Sequence, residues 1–554
     1  MATNTDHTRG IQKRAMIATS AIFGSRILGL VREQVFAFFF GAGAVLDAFY
    51  VAFRIPNLLR DLAAEGALSQ SFITIFSQKL VTGEKQEAHI LANKTITFIM
   101  LVMGVVTILG EIFAPFLVRL IGPGFLDDPE KFNLTVQLLR ILFPYIFFIS
   151  LAALVMGILN ANKKFFIPFS ASTFCNFTSI CAGLLFAYFL SPDYIGQTYH
   201  KIFYGTKFVT EDFLAISSAI SGMALGTLLG GLGQFLFQLP TLSKIGFFPK
   251  LNFNLNDAGL IKVLKLTGPA IIAGAAVQIN VMINTIFASF LADGSVSYLQ
   301  FSFRLMQFPL GLFGVAIAAA SAPVLAQLIS QKRNDKFRES IQSSIQMSLF
   351  LTLPSMIGLM TLGYAIISLI YQHGHFTPYQ TTQTSYALMA YALGISSYSL
   401  IKIYQPAFLA FHDAKTPMKI SLLSILVNAT FNSIFIFVFK LDHWAIALCT
   451  SIVALFDVIL QSYFFRRKLK NIWTINLALT VFKTLIAAVI MGVSVYFGAH
   501  YLKGLMTKIT LVNQIALVII PILYAIPVYL LSAYLLRIPD ALFYMRKIKS
   551  TLLS

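Results

Sequence analysis

Nine cations lie inside apolar stretches of this 554-residue chain: Arg26, Arg32, Arg54, Arg60, Lys94, Arg140, Arg304, Lys402 and Lys483. A charged side chain at the centre of a bilayer is unfavourable by at least about 2.5–3.5 kcal/mol on insertion scales, so each needs a counter-ion, water or a ligand. Carboxylates are fewer. Glu33 is seven residues from Arg26, on the same helical face, and Asp47 stands in the same relation to Arg54, with Asp61 and Glu65 following. Lys94, Arg140, Lys402 and Lys483 read as satisfied within the protein. Cations outnumber anions around Arg26, Arg32, Arg60 and Arg304, which therefore read as ligand contacts. Guanidinium holds phosphate at two points and keeps its charge at any relevant pH, so the expected ligand is an anion, and a phosphorylated one.

Enzyme signatures are missing. There is no phosphate loop, no zinc-type histidine pair on a helix and no nucleophile constellation, and His373 and His375 read as a solvated turn. The three cysteines, Cys175, Cys181 and Cys449, sit in apolar runs with no spacing that suggests metal or a disulfide framework. The expectation is a binding and transport protein, not an enzyme.

The elements that must position these residues are membrane helices. The chain is 57% hydrophobic and only 11% charged, against about 25% charged in a soluble domain. Apolar runs predict fourteen transmembrane helices, near 14–40, 47–78, 91–121, 133–160, 166–191, 213–240, 259–291, 297–329, 339–371, 379–411, 417–439, 443–465, 476–500 and 510–536. The polar start and an uncleaved first span argue against a signal peptide. With the N-terminus cytoplasmic, inner segments hold 25 Lys and Arg and outer segments seven, and the positive-inside rule selects that orientation, with both termini cytoplasmic. Most of the +19 net charge is then topology and attraction to lipid headgroups, and nucleic acid is not expected as a partner. Helix 1, entering near Arg14, places Arg26 ~18 Å along its axis and Arg32 ~9 Å further.

The chain also repeats. "AGAVLDAFYVAFRIPNL" from residue 42 can be laid on "ADGSVSYLQFSFRLMQF" from residue 292, an offset of 250 that pairs Arg54 with Arg304. "KKFFIPFSASTFCNFT" from Lys163 can be laid on "KTPMKISLLSILVNAT" from Lys415, an offset of 252. Six helices separate the paired elements, which predicts a parallel repeat of the transporter type with substrate held at the interface between halves. The expected organisation is an N-lobe at 1–242 (helices 1–6), a C-lobe at 243–470 (helices 7–12), and two C-terminal helices with a tail at 471–554. Those last two helices could wall a lateral opening for a lipid-attached anion. The 246–258 stretch reads as an interfacial connector.

"SRILGLVREQVFAFFFGAGAVLDAFYVAFRIPNLLRDLAAEGALSQSF" (25–72) resembles the first two helices of the MurJ (MviN) lipid II flippases, within the MOP exporter superfamily. "FRLMQFPLGLFGVAIAAASAPVLA" (303–326) resembles the eighth helix of that family. The resemblance implies an all-α membrane protein with two pseudo-symmetric six-helix lobes around a cationic cavity, and a groove for the undecaprenyl tail at helices 13 and 14. It implies translocation of lipid-linked peptidoglycan precursor from the inner to the outer leaflet of the bacterial cytoplasmic membrane, without ATP. Carried over by motif position, the substrate contacts would be Arg26, Arg32, Arg60 and Arg304. Ser25, Glu33, Asp47, Asn57 and Glu65 would be their polar neighbours, and Arg54 a further basic position.

Two departures stand out. Gln307 occupies a position three residues after Arg304 that is often acidic in the family. Some members carry a sodium site on helices 7, 11 and 12 that includes carboxylates, where this chain offers the neutral Gln278, Asn280, Asn284, Asn428, Asn432 and Thr450. No cofactor is expected. Coupling falls to the membrane potential, with a monovalent cation as the other option. Lipid II and membrane lipids are the expected partners, along with other cell-wall synthesis proteins. A flippase for another polyprenyl-diphosphate glycan and, in a different class, an anion channel stay open at this point.

Overall fold

The computed structural model describes residues 24–62, 68–204, 212–469, 472–506 and 510–542, and these form helices and turns with no strand among them. The beginning of the first expected span (14–23), Glu65 and the cations beyond residue 542 lie outside the described residues. Helices are numbered α1 (24–40), α2 (Ala44–Leu59), α3 (Ser69–Val81), α4 (Lys85–Ile112), α5 (Ala114–Ile121), α6 (Pro129–Leu142), α7 (Tyr145–Ala161), α8 (Phe166–Leu190), α9 (Pro192–Tyr204) and α10 (Phe213–Lys244). They continue as α11 (Ala258–Ser289), α12 (Ser295–Pro309), α13 (Ala316–Ser330), α14 (Asn334–Tyr371), α15 (Pro378–Ala392), α16 (Ile395–Ala410), α17 (Lys415–Ser433), α18 (Trp444–Arg466), α19 (Ile475–Leu505) and α20 (Leu511–Leu535).

Ten continuous helical stretches are long and apolar enough to cross a membrane, and α15 with α16, bent by 40°, makes an eleventh. The chain is a multi-pass membrane protein. The count of fourteen is met only in part, for local reasons. The first span is described from residue 24 onward, and residues 63–67 of the second lie outside the described residues. In α11, which carries Lys262 and Lys265, several side chains between residues 269 and 276 lie outside the described residues, and Val277–Ser289 is the apolar stretch described.

The chain divides into two compact units, Met1–Val296 and Ser297–Ser554. Helix α11, which the expected lobe boundary at 242/243 assigns to the second half, belongs to the first unit and packs there on α3, α4 and α5.

The repeat is written into backbone irregularities. Helix α2 passes into a π-helical turn at residue 60, and α12 does so at Leu310, an offset of 250. The α6/α7 pair breaks at Phe143–Pro144 and the α15/α16 pair at Leu393–Gly394, again 250 residues apart. Left-handed residues end matching helices at Gly83 and Lys332, and at Lys163 and His412, each pair offset by 249. Both members of the first pair sit in the same closed turn, with Glu84 N–H donating to Lys79 O (3.0 Å) and Arg333 N–H to Leu328 O (2.9 Å). This register corrects the second sequence match. Since α8 begins at Phe166 and α17 at Lys415, an offset of 252 is three residues too long. A slip of nearly one helical turn keeps the same apolar face, so hydropathy alone does not register it.

Within the first unit α8 and α10 approach through glycines. A Cβ at Gly226 would lie 2.2 Å from Gly183 Cα, one at Gly222 2.3 Å from Ala187 N, and one at Gly230 2.8 Å from Cys175 O. These spacings of four form the small-residue stripe that lets two membrane helices touch backbone to backbone. In the second unit α17 and α18 are tied at one end. Asp413, in the turn before α17, caps Thr416 N–H (3.0 Å) and pairs with Lys468 (2.8 Å) just beyond α18. The Lys468 ammonium, with help from Thr416, pulls the Asp413 carboxyl down to about 2.

Two outcomes follow from these contacts. Gly226→Ala should lower the apparent Tm of the detergent-solubilised protein well below that of an unobstructed control such as Gly104→Ala, where a Cβ meets nothing within 4 Å, because the atoms obstructing Gly226 are backbone. The Asp413 carboxyl is depressed in the folded state, so its contribution is present above the ordinary carboxyl value of about 4 and lost as pH falls toward about 2. Tm measured across that window should fall less in Asp413→Asn than in the parent.

Candidate functional site

The cationic residues of the first two helices fall into distinct environments. Arg26, on α1, is exposed, and no described residue pairs with it. Six residues on, Arg32 reaches Glu33 (3.2 Å), a carboxylate only 2% exposed. The same carboxylate accepts the Tyr50 hydroxyl of α2 at 2.5 Å. Glu33 is thus a fixed bridge between α1 and α2, facing Arg32 and Tyr50. Ser25 is half-buried, and its carbonyl accepts a long bond from Asn176 of α8 (3.5 Å).

Arg60 sits where α2 loosens into its π turn. Nε and Nη2 both donate to Asp61 Oδ1 (3.1 and 2.8 Å). The other oxygen of Asp61 accepts from Gln278 of α11 (3.1 Å) and, more weakly, from Asn57 (3.5 Å). Asp61 is therefore the hub that positions Arg60. Both side chains remain about a quarter exposed, 26% and 28%. Arg54, one and a half turns earlier, is half-buried. Glu65 lies outside the described residues.

Asp47 has a structural setting. It is 1% exposed, accepts Gly294 N–H at 2.7 Å and pairs with Lys131 of α6 at 3.6 Å. Lys131 in turn reaches Asp293 (2.6 Å) and covers the Phe125 ring at 4.0 Å. Lys94 likewise pairs with Asp257 (3.2 Å) and Arg140 donates to the Glu111 carbonyl (3.3 Å), the internal satisfaction expected of both.

In the second unit Arg304 is half-buried on α12, six residues before the π turn, as Arg54 is on α2. No described residue pairs with it, and Gln307 is exposed. Asn428 and Asn432 are buried on α17, with Asn432 donating to Asn428 Oδ1 (2.9 Å) and Cys449 Sγ 3.3 Å from the same oxygen. Thr450 spends its hydroxyl on the Ile446 carbonyl (2.8 Å). Gln278 and the half-buried Asn280 and Asn284 belong to the other unit. The described residues contain no cluster of three or more His, Cys, Asp or Glu that could hold a metal.

Asp61 is visible in the sequence but its role is not, and Asp457 lies beyond the helices searched for carboxylates. Asp61 organises Arg60, and Asp457, inside the apolar run of α18, accepts the Ser424 hydroxyl of α17. Extending the search for acids to every span finds Asp457.

The chain has close relatives. Residues 36–516 match the family described as Lipid II flippase MurJ. A probable lipid II flippase MurJ of Buchnera aphidicola subsp. Acyrthosiphon pisum is 33% identical over 493 residues, covering 89% of this chain and 90% of the relative. One from Vibrio cholerae is 34% identical over 460 residues, 82% of each. The solved structure of a lipid II flippase MurJ in an inward closed conformation superposes with a TM-score of 0.75 at 28% identity, covering 96% of this chain and 100% of that one. An inward-facing multidrug resistance MATE transporter of the MOP superfamily gives 0.61 at 14% identity, covering 83% and 98%, a likeness of fold alone. A family match over residues 36–516, with relatives 33–34% identical over most of each chain, leaves one assignment: this chain belongs to the MurJ lipid II flippase family.

Proposed function

We propose that this protein is itself a lipid II flippase, carrying undecaprenyl-diphosphate-linked peptidoglycan precursor from the inner to the outer leaflet of the cytoplasmic membrane by alternating access. The observation that carries the reading is the family match over residues 36–516, at 33–34% identity to relatives covered over most of their length. Both termini are cytoplasmic in this reading, as the distribution of Lys and Arg requires.

The arginines supply the mechanism. Lipid II presents a diphosphate that must leave water while its tail stays in lipid. Arg26 and Arg304, without a described carboxylate partner, supply positive charge that this diphosphate can neutralise. Arg32 and Arg60 are held by Glu33 and Asp61, so they meet the headgroup already oriented. Ser25, Asn57 and Arg54 lie on the same helices and add polar contacts, whereas Asp47 holds the end of α2 in place. Binding moves the population toward the outward-facing state only in so far as the headgroup interacts more strongly there. No cofactor is required. The membrane potential drives the charge movement, worth about 2.3 kcal/mol per charge at 100 mV.

The test uses cells depleted of their own flippase. Arg304→Ala, expressed at wild-type level, should fail to rescue them. Native mass spectrometry should show lipid II retained about 10–100-fold less well than by the parent, the equivalent of losing one charge-assisted contact. Arg304→Lys should recover only part of the binding, because an ammonium meets the phosphate at one point. Full rescue by Arg304→Ala would overturn the assignment of that residue, and retention of a different lipid-linked glycan would redirect the substrate.

A further inference from the structure

Asp457 is the reverse of the arginine problem: an acid well inside a membrane helix with no cation beside it. It lies thirteen residues after Trp444 and nine before Arg466 on α18, hence about 20 Å and about 14 Å from the two ends. Leu455 and Ile459, 51% and 57% exposed, mark the outer face of the helix. Asp457 stands two residues from each, about 200° around the axis, and so points away from that face. Ser424 of α17, fully buried, donates its hydroxyl to Oδ1 of Asp457.

The neighbours leave the carboxylate without a counter-charge. The elements packed on α18 are α15, α16, α17 and the π turn Ile434–Val438. Helix α15 carries Tyr379, Tyr386 and Tyr391, and α16 carries Tyr398, Lys402 and Tyr404. Helix α17 carries Lys415 and Lys419, and α18 itself has Cys449, Tyr463 and Arg466. Of these, Tyr398 is close enough to feel the acid, and its hydroxyl donates to the Thr450 carbonyl (3.4 Å). Tyr404 is engaged with Ser462 (3.3 Å) and Trp473 (3.0 Å). Lys402, Lys415 and Lys419 are exposed, and no described Lys, Arg or His pairs with Asp457.

An ionised carboxylate in such a place is strongly unfavourable, and it is relieved by taking up a proton or by holding a cation. A metal ion needs a cage of several oxygens. Here the described partners amount to one hydroxyl, which already spends its hydrogen on Oδ1. We propose that Asp457 is a proton-binding site, taking one proton from water at Oδ2 and returning it during the transport cycle. One O–H bond forms, the local charge changes by one, and nothing else is made or broken. Ser424 is the positioning residue, since it turns the carboxyl and favours its charged form. A proton held part-way across the bilayer feels the membrane potential, so the site adds a coupling route to the flippase reading. Its existence does not depend on lipid II being the cargo.

The test is infrared difference spectroscopy on the full-length protein in lipid nanodiscs, taken through an acid-to-alkaline series. The parent should show the C=O stretch of a protonated carboxylic acid that gives way to carboxylate bands as the pH rises, and Asp457→Asn should lack that transition. Ser424→Ala keeps the acid but removes a donor to its charged form, so the same transition should appear at higher pH. The midpoint should be equal in sodium and choline salts. An identical pH series from the parent and Asp457→Asn, or a midpoint that moves with sodium, would overturn the proposal. In proteoliposomes the translocation rate of lipid II should depend on pH in the parent and lose that dependence in Asp457→Asn. An infrared transition without any lipid II movement would leave the proton site standing and count against the flippase reading.

Discussion

Hydrocarbon does not solvate charge, and nearly everything informative about this protein follows from how each charge within its spans is accommodated. Lys131 lies against Asp47 and Asp293, and Lys94 against Asp257. These pairs are structural: removing one partner would leave an uncompensated buried charge, which is why they hold helix ends together. Arg32 and Arg60 also have carboxylates, but of a different kind. Each pairs with its immediate neighbour in sequence, and Arg60 stays partly exposed. Residues i and i+1 do not face each other on a helix, so such a pair directs the guanidinium sideways without enclosing it. Arg26 and Arg304 have no described carboxylate at all. The three classes form a gradient from charges enclosed by the fold to charges it leaves uncompensated, and in the proposed function a ligand anion completes the last.

The positions of these charges were legible in the sequence because an arginine in an apolar run is conspicuous. Their partners were less so. Helical periodicity pairs Glu33 with Arg26, yet the structure gives Glu33 to Arg32 and to Tyr50, seventeen residues away. Asp47 is held by Lys131 and by a backbone amide 247 residues distant. The Gln278–Asp61 contact spans 217 residues. Such contacts arise from packing between helices, about which a one-dimensional period carries no information. Asp61 itself was visible, but its role as a hub depends on the π turn that begins at residue 60, and no composition rule foretells that turn.

The architecture was easier to read than the register. Composition alone required a helical membrane protein, and the Phe53-Arg54/Phe303-Arg304 match gave an offset that the π turns and the mid-pair breaks reproduce. The second match slipped by three residues because α8 and α17 share a repeating apolar face but few distinctive side chains. Backbone singularities keep register where hydropathy cannot. A left-handed residue or a break occurs once per element, whereas a leucine recurs every turn.

The same repeat shows where the two halves have parted chemically. Arg54 and Arg304 stand at matched places, each six residues before a π turn, but the turn in the first unit opens with Arg60 and Asp61 while that in the second opens with Leu310 and Gly311. The first unit also carries Arg26 and Arg32, and the second carries the unpaired Asp457. In a parallel repeat the two halves are related by an axis along the membrane normal, so the symmetry does not exchange the two faces of the membrane. The repeat keeps its backbone while intramembrane guanidinium is concentrated in the first unit and the acid Asp457 stands in the second. What distinguishes the halves resides in the side chains, on backbones that remain alike.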